Sequence, residues 1–305
     1  MTLDTNFIKK FEDNFTHNVN LSNYSWFNLG GKAEYFFKAK DENQLIEFLR
    51  ESKKKNLKTT VLGAGSNTLF RDNGVKGVVI KLGNKFSFTK LTSENILDVG
   101  AATLDRKVAN YAKKNNVGNL EFLSCIPGSI GGAIVMNSGC YENDISKVLL
   151  SIRAVDKKRL SVIEIKKKDI KFLYRGTNLS NDLIIISAKL QGTTSVIEKI
   201  EKKQSDFIEK KKSSQPSQIK TCGSTFKNFS DNKKAWMLIK EAGCNHLTVG
   251  DAIISQKHCN FFVNNGNAKS ADIENLINKV RERVLEKTGI NLELEIKIVG
   301  EQKKV

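Results

Sequence analysis

Two glycine-rich stretches determine the fold: they read LGAGSNT over residues 62–68 and IPGSIGGA over residues 126–133. The first follows a β-prone run that begins at Thr59, and its glycines permit unusual backbone angles. Backbone N–H groups freed in this way can converge on a phosphate. Taken alone, this stretch is also compatible with a plain strand-to-loop turn, because it lacks the lysine of a P-loop and the third glycine of a GxGxxG motif.

The second stretch forms a rigid surface with few side chains. A packed turn between strand and helix is the alternative, but such a surface lets backbone approach a flat or extended ligand closely. Both stretches lie in one alternating α/β region, which favours a bulky phosphate-bearing cofactor over two unrelated turns.

Around these stretches the chain alternates between strand-like and helix-like segments. Strands are predicted over residues 35–39, 59–62, 77–82, 149–155, 160–165, 183–190 and 292–299. Helices are predicted behind a capping Asp41, behind a capping Thr103, over residues 196–212 and 233–242, and over residues 272–287 with Ser270 as cap and Gly289 as end. A polar break over residues 213–218 predicts a domain boundary nearby.

Composition excludes several classes of protein. Hydrophobic residues make up 39% of the 305 residues, and no apolar run is long enough to span a membrane. The N-terminus lacks the pattern of a signal peptide. The formal net charge of +17 could suit a nucleic acid, but lysines spread along the chain without a nucleic-acid-binding motif are typical of a solvated surface. An odd count of five cysteines, none in CxxC spacing, indicates free thiols and a cytoplasmic location.

Three further segments carry groups suited to catalysis. Arg175 follows an aromatic residue in FLYR, and an arginine in so lysine-rich a chain suggests bidentate binding of a carboxylate or phosphate, with a surface arginine as the alternative. Ser224 lies in CGSTFKN over residues 222–228, where a structural turn is the alternative. Glu295 lies in the predicted closing strand, where a solvated sheet face is the alternative.

These motifs, in this order, resemble the UDP-N-acetylenolpyruvoylglucosamine reductase family. The resemblance also includes SWFNLGGKA over residues 25–33 and MNSGCY over residues 136–141, and it covers roughly residues 20–300. The short distance between Arg175 and Ser224 resembles the subclass that lacks an inserted tyrosine-bearing loop. Thr177 and Phe229 stand where the family often has serine and proline.

The resemblance implies an α+β chain with a two-part FAD-binding domain of the vanillyl-alcohol-oxidase type and a smaller α+β substrate-binding domain. We expect residues 1–20 as an N-terminal extension, 21–195 as the FAD-binding domain with two subdomains that divide near residue 85, and 196–305 as the substrate-binding domain. In that last domain, the closing strand at about residues 291–299 would return to the active site. FAD would be held noncovalently by Gly63, Ala64, Gly65, Ser66, Asn67, Pro127, Gly128, Ser129, Gly131 and Gly132.

The same resemblance implies the reaction. NADPH would reduce the flavin, and the substrate UDP-N-acetylglucosamine enolpyruvate would then be reduced to UDP-N-acetylmuramate. Arg175 and Glu295 would stabilise the developing negative charge, Ser224 would protonate the carbon, and Tyr174, Lys227 and Asn228 would bind substrate. A carboxyl beside a developing anion helps when it is protonated, so we expect a raised pKa for Glu295.

Two other functions stay open at this point. Another flavoenzyme of the same fold would share the N-terminal half, but CGSTFKN and the closing Glu-Ile-Lys argue against it. A basic protein that binds nucleic acid would be colourless. We expect no metal, no nucleic acid, no membrane insertion and no obligate protein partner.

Overall fold

A computed structural model describes residues 5–302 of the protein. Its α-helices are α1 Thr5–Phe11, α2 Glu42–Lys54, α3 Asp105–Lys114, α4 Ile130–Val135, α5 Ile145–Val148, α6 Ile197–Ser214, α7 Ala235–Glu241 and α8 Ser270–Thr288. Short 3₁₀ helices lie at Glu12–Asn14, Leu21–Tyr24, Asn84–Phe86, Glu121–Cys125 and Lys167–Asp169.

The strands are short in the last third of the chain and longer before it. They are β1 Phe15–Asn20, β2 Lys32–Ala39, β3 Thr59–Leu62, β4 Thr68–Phe70, β5 Val75–Leu82, β6 Thr89–Ser93, β7 Ile96–Gly100, β8 Val117–Gly118, β9 Gly139–Cys140, β10 Asn143–Asp144, β11 Leu149–Asp156, β12 Ser161–Lys166, β13 Phe172–Leu173, β14 Gly176–Thr177, β15 Leu183–Gln191, β16 Thr193–Thr194, β17 Thr248–Val249, β18 Ala252–Ile254, β19 Phe262–Asn264 and β20 Lys297–Val299.

The chain divides into two compact units. Among the described residues, the first contains those up to residue 17, 35–64 and 77–211, and the second contains residues 18–34, 65–76 and those from 212 onward. This division differs from the expected boundary after residue 195, which falls inside the first unit. The reason is that α6 packs on the first unit: Phe207 joins its core, and the buried Gln204 side chain donates a hydrogen bond to the Ala109 carbonyl at 3.1 Å.

Two larger sheets and three two-stranded ones lie among the described residues of the first unit. One of the larger sheets is five-stranded and antiparallel in the order β12–β11–β15–β7–β6, and its apolar face packs with α3 and α4. The other larger sheet has the order β1–β2–β5–β3, with β3 parallel to β5. Its core is rich in aromatic rings, and Phe37 stacks on Phe48 of α2 at 3.7 Å between ring centroids. The first glycine-rich stretch begins at the end of β3, and the second is hydrogen-bonded to Ala101, just after the end of β7.

The second unit is built around α7 and α8. Their apolar faces share a core with β18 and β19, whose strands form an antiparallel sheet with β17. The closing strand β20 pairs in parallel with β4, so that Lys297 lies opposite Thr68. This pairing fixes the residues just before β20, among them Glu295.

Several predictions about the elements are confirmed. Asp41 caps α2 by accepting a hydrogen bond from the Gln44 N–H at 3.0 Å, and Gly289 ends α8 in the left-handed region with φ of 70°. The predicted strands over residues 59–62, 77–82 and 183–190 lie in β3, β5 and β15.

Other local predictions are wrong. Thr103 does not cap α3, because its hydroxyl donates to the Phe88 carbonyl, and Ser270 lies within α8, where its hydroxyl donates to the Phe70 carbonyl. The closing strand is not residues 292–299 but the three residues of β20. Before β20, Leu294 forms only an isolated bridge with Phe226. No regular strand continues there, because Phe226 belongs to the irregular segment that follows Cys222.

Among residues 5–302, no helix combines the length and the apolar character that crossing a bilayer requires.

Candidate active site

In the first unit the two glycine-rich stretches converge on one surface. A Cβ atom built on Gly63 would lie 3.0 Å from Oγ of Ser129, and one on Gly132 would lie 3.9 Å from the same oxygen. Gly63, Pro127 and Gly132 are exposed, whereas Ser129 is buried beneath them. The result is a surface with little side-chain cover and one hydroxyl near its centre.

Backbone hydrogen bonds hold the second stretch on the segment after β7. The Gly131 N–H donates to the Ala101 carbonyl at 2.9 Å, and the Gly128 carbonyl accepts from the Asp105 N–H at 3.2 Å. A Cβ on Gly131 would lie 3.2 Å from that of Ala101, so the glycine there serves close packing. α4 begins at Ile130, directly after Ser129, and its first turn faces the same surface.

Asp105 lies beneath this surface and is fully buried. Neither of its carboxylate oxygens has a hydrogen-bond partner among residues 5–302. Burial raises the pKa of Asp105 well above its usual range, because the charged form loses its hydration. Its backbone N–H donates to the Gly128 carbonyl, so the carboxyl lies close to the second stretch, and burial favours its neutral form.

Lys81 brings a positive charge to the first stretch. Its ammonium donates to the Gly63 carbonyl at 2.7 Å. Burial lowers the pKa of Lys81, and the nearby Lys38 adds to the effect. Ala64 lies next to this contact and is half-buried.

Arg175 lies in the turn between β13 and β14. Its backbone is left-handed, with φ of 55°, and its guanidinium donates to the Gly139 carbonyl at 3.0 Å. The Tyr174 ring lies 5.1 Å from the guanidinium carbon and is about half exposed. The buried Asn137 fixes the hairpin by donating to the Leu173 carbonyl at 3.2 Å. The hairpin thus presents one arginine stacked on one aromatic ring.

The stretch over residues 62–68 passes from the first unit to the second after Ala64. Gly65 is buried with φ of 70°, and a Cβ there would lie 1.7 Å from the Tyr24 carbonyl oxygen. Only glycine fits this position, and its reason is packing within the second unit. Ser66 follows and is half-buried.

In the second unit, Cys222 anchors the segment that contains Ser224. Its sulfur lies 3.4 Å from the Thr68 carbonyl oxygen and 3.9 Å from Oγ of Ser25. Burial raises the pKa of Cys222 to about 11, so the thiol is neutral. Gly223 then turns the chain with φ of 81°.

Asn260 holds the middle of the same segment. Its side chain accepts from the Phe226 N–H at 2.9 Å and donates to the Phe226 carbonyl at 2.7 Å, while its own carbonyl accepts from the Thr225 N–H. Ser224 forms an isolated bridge with Phe261. Asn260 is 2% exposed, so it positions the segment from below.

Glu295 is fixed to this segment through its backbone. Its N–H donates to the Thr225 carbonyl at 2.9 Å, and its carbonyl accepts from the Asn67 side-chain amide at 3.0 Å. The Asn67 carbonyl accepts in turn from the Lys297 N–H. The structure therefore brings Ser224 and Glu295 onto adjacent stretches of backbone, and the Asn67 side chain serves this arrangement.

Lys227 and Asn228 complete the segment. The Lys227 N–H donates to the Glu293 carbonyl at 2.8 Å, and its ammonium lies 3.5 Å from the Glu293 carboxylate. The Asn228 side-chain oxygen accepts from the Ala235 N–H at the start of α7, at 3.1 Å.

Sequence reasoning did not find the roles of Asn260 or Asp105. Asn260 lies in HCNFFVN over residues 258–264, which resembles the core of the family's substrate domain but does not by itself assign a role to this residue. Asp105 carries no signal of burial, since it reads as an ordinary first-turn acid of α3.

Comparisons with known proteins agree across the chain. Residues 33–159 match the family described as FAD binding domain, and residues 215–299 match that described as UDP-N-acetylenolpyruvoylglucosamine reductase, C-terminal domain. Reductases of that name from Pelagibacter ubique and from Orientia tsutsugamushi (strain Ikeda) are each 43% identical to this chain. The alignments cover 96% and 97% of this chain and 98% and 97% of those proteins.

A solved structure extends the comparison. The crystal structure of UDP-N-acetylenolpyruvylglucosamine reductase from Thermus caldophilus superposes with a TM-score of 0.80 at 29% identity. It covers 93% of this chain and 98% of its own. The expected fold class is confirmed, namely an α+β chain with an FAD-binding domain of the vanillyl-alcohol-oxidase type and a smaller domain.

Proposed function

Since the chain belongs to the UDP-N-acetylenolpyruvoylglucosamine reductase family, we propose that Arg175, Ser224 and Glu295 carry its reaction. The protein is an FAD-dependent oxidoreductase that reduces the enolpyruvyl group of UDP-N-acetylglucosamine enolpyruvate to give UDP-N-acetylmuramate in peptidoglycan precursor synthesis. NADPH is the hydride donor. When bound, FAD supplies the transfer of hydride between donor and substrate.

The surface of the first unit fits FAD. Gly63 and Gly132 offer backbone without side chains, and a Cβ on Gly63 would crowd Oγ of Ser129. We place Gly63, Ala64, Ser66, Pro127, Gly128, Ser129 and Gly132 against the cofactor. Gly65, Asn67 and Gly131 shape the same loops through the packing described above.

Ser224 is proposed as the acid that protonates carbon. Hydride addition to the vinyl carbon leaves negative charge on the neighbouring carbon and the carboxylate of the substrate. Serine is a weak acid, but an enolate-like carbon is strongly basic, so proton transfer is feasible when the geometry is held. The observation that supports this role most is the hydrogen bond from the Glu295 N–H to the Thr225 carbonyl, which holds the segment of Ser224 beside Glu295.

Glu295 and Arg175 are proposed to stabilise the developing charge. The guanidinium of Arg175 can bind the substrate carboxylate, and its stacking on Tyr174 limits its motion. Glu295 helps when its carboxyl is protonated, and its raised pKa stays a prediction. Tyr174, Lys227 and Asn228 are proposed to contact the substrate.

An anaerobic spectrum tests the function. The purified protein should be yellow, bleach when NADPH is added, and recover its colour only when UDP-N-acetylglucosamine enolpyruvate follows. Bleaching without recovery by that substrate would remove it as the acceptor. Rapid recovery with oxygen alone would favour another flavoenzyme of the same fold, and a protein without flavin after incubation with FAD would contradict the whole proposal.

A cytoplasmic location is also part of the proposal. All five cysteines are free, as expected in a reducing compartment. The absence of a nucleic-acid partner and of an obligate protein partner stays a prediction.

A further inference from the structure

Two cysteines and a lysine cluster in the first unit, beside the cofactor surface. Cys125 ends the 3₁₀ helix that precedes Pro127, and Cys140 ends β9. Both pack on the core of that unit, and Cys125 is 6% exposed. None of the three side chains has a role in the reaction proposed above.

Several contacts bring the two thiols together. The Cys140 sulfur lies 3.5 Å from the Phe122 carbonyl oxygen, on the same 3₁₀ helix as Cys125. Cys125 lies in the same 3₁₀ turn as Phe122, and the two thiols are close enough to shift each other's pKa. On the other side, Oγ of Ser124 lies 3.8 Å from the Cys125 sulfur.

Lys211 adds a positive charge to this pair. Its ammonium donates to the Cys125 carbonyl at 2.6 Å, and it is half-buried near the end of α6. The neighbouring Cys140 thiol lowers the pKa of Cys125 to about 7, and Ser124 and Lys211 lower it further. The Cys125 thiol in turn raises the pKa of Cys140, and burial raises it further. Of the two thiols, Cys125 therefore ionises more readily.

We propose that Cys125 and Cys140 form a redox-sensitive pair that a hydroperoxide converts into a disulfide. Cys125 attacks the peroxide oxygen as thiolate, which gives a sulfenic acid and water or the corresponding alcohol. The Cys140 sulfur then displaces the sulfenic oxygen as a second water and forms the S–S bond. The two thiols lose two electrons and two protons in total, and the peroxide takes them up. A dithiol reductant reverses the step.

The disulfide would act on two parts of the proposed site. Cys125 lies two residues before Pro127, and Cys140 follows Gly139, whose carbonyl accepts the hydrogen bond from Arg175. Closing the bond moves these two backbone segments toward each other. This consequence rests on the proposed function, whereas formation of the disulfide does not.

Peptide mass mapping of the oxidised holoenzyme tests the chemistry. Trypsin leaves both cysteines on one peptide, residues 115–147, because no lysine or arginine lies between Lys114 and Lys147. After treatment with hydrogen peroxide and alkylation, this peptide should be two hydrogens lighter and unlabelled, while Cys222, Cys244 and Cys259 take the label. Reduction with dithiothreitol before alkylation should restore two labels.

Variants separate the pair from the other thiols. Cys125→Ala and Cys140→Ala should each abolish the mass loss, and the matched control Cys259→Ala should keep it. In the wild type, oxidation should lower turnover about tenfold, reversibly, since small displacements of positioned groups have effects of that size or more. Cys140→Ala should resist this loss.

Either of two results would overturn the proposal. One is a peptide 115–147 that gains oxygen on one cysteine without losing two hydrogens. The other is a peptide that keeps both labels after peroxide has oxidised other thiols. A disulfide that forms without any change in turnover would refute its effect on the site.

Discussion

The two parts of the proposed site are built in opposite ways. In the first unit, the surface formed by Gly63, Pro127 and Gly132 carries few side chains, and Ser129 and Asp105 lie beneath it. In the second unit, the segment over residues 222–228 carries polar side chains, and hydrogen bonds to Asn260, mostly through its side chain, and to the Glu295 backbone N–H fix it. The difference matches the tasks of holding a large cofactor and of placing single reactive groups.

The contrast also shows where each part is vulnerable. Adding atoms should damage the first part, because any side chain occupies space that a ligand needs. Removing atoms should damage the second part, because hydrogen bonds to Asn260 and Glu295 hold its backbone. Four substitutions test this contrast, in descending order of expected effect.

Ser224→Ala should have the largest effect. Loss of the proton donor should slow reoxidation of the flavin by substrate by roughly 10²–10⁴-fold, while reduction of the flavin by NADPH stays nearly intact. Anaerobic stopped-flow spectroscopy measures both half-reactions separately. An equal loss in both would remove Ser224 from the acid role.

Asn260→Ala should be next. It leaves the buried N–H and carbonyl of Phe226 without their side-chain partners, which costs about 1–3 kcal/mol of stability for such a group. The second half-reaction should also slow, because the Ser224 segment loses its support. Thermal unfolding and stopped flow measure the two effects. Asn265→Ala, an exposed neighbour in the same unit, is the control and should change neither.

Gly63→Val should mainly weaken FAD binding. The new side chain must crowd Ser129 and cover part of the cofactor surface, and we expect an affinity loss of about tenfold, or roughly 1.4 kcal/mol. Titration of the apoprotein with FAD measures it. Gly176→Ala is the control, because a Cβ there meets nothing within 4 Å. Equal affinities of Gly63→Val and wild type would show that this surface does not hold the cofactor.

Asp105→Asn should have the smallest effect and the opposite sign. The pKa of Asp105 is raised in the folded protein, so folding favours the protonated form, and stability falls as the pH rises above the pKa of the unfolded chain. Asparagine avoids this loss. We expect the variant to be more stable at neutral pH by roughly 1 kcal/mol, with the gain shrinking near pH 4.

Melting temperatures across that pH range measure the effect of Asp105→Asn. Asp98→Asn on β7 serves as the comparison variant. A gain that is the same at both ends of the range would contradict the assignment of a buried neutral acid.

Local sequence patterns predicted which helices and strands exist better than they predicted the residues at which each begins and ends. Periodicity identified α2, α8, β3 and β15, because burial of one face imposes a spacing on the chain. The caps at Thr103 and Ser270 were wrong because distant backbone carbonyls at Phe88 and Phe70 compete for those hydroxyls. The closing strand was too long because a pairing partner, rather than the alternation of residues, ends a strand.

The sequence by itself determined the family and predicted the cofactor surface and the candidate reactive residues. These predictions depend on residue types that the linear sequence shows directly, namely the glycines at 63, 128 and 132 and the segment CGSTFKN. Only the tertiary structure decided that Asn67 supports Glu295, that Asn260 holds Phe226 and that Cys140 lies against the 3₁₀ helix that carries Cys125. These contacts join residues far apart in sequence, and a hydrogen bond between them exists only once the packing of the core has fixed both ends.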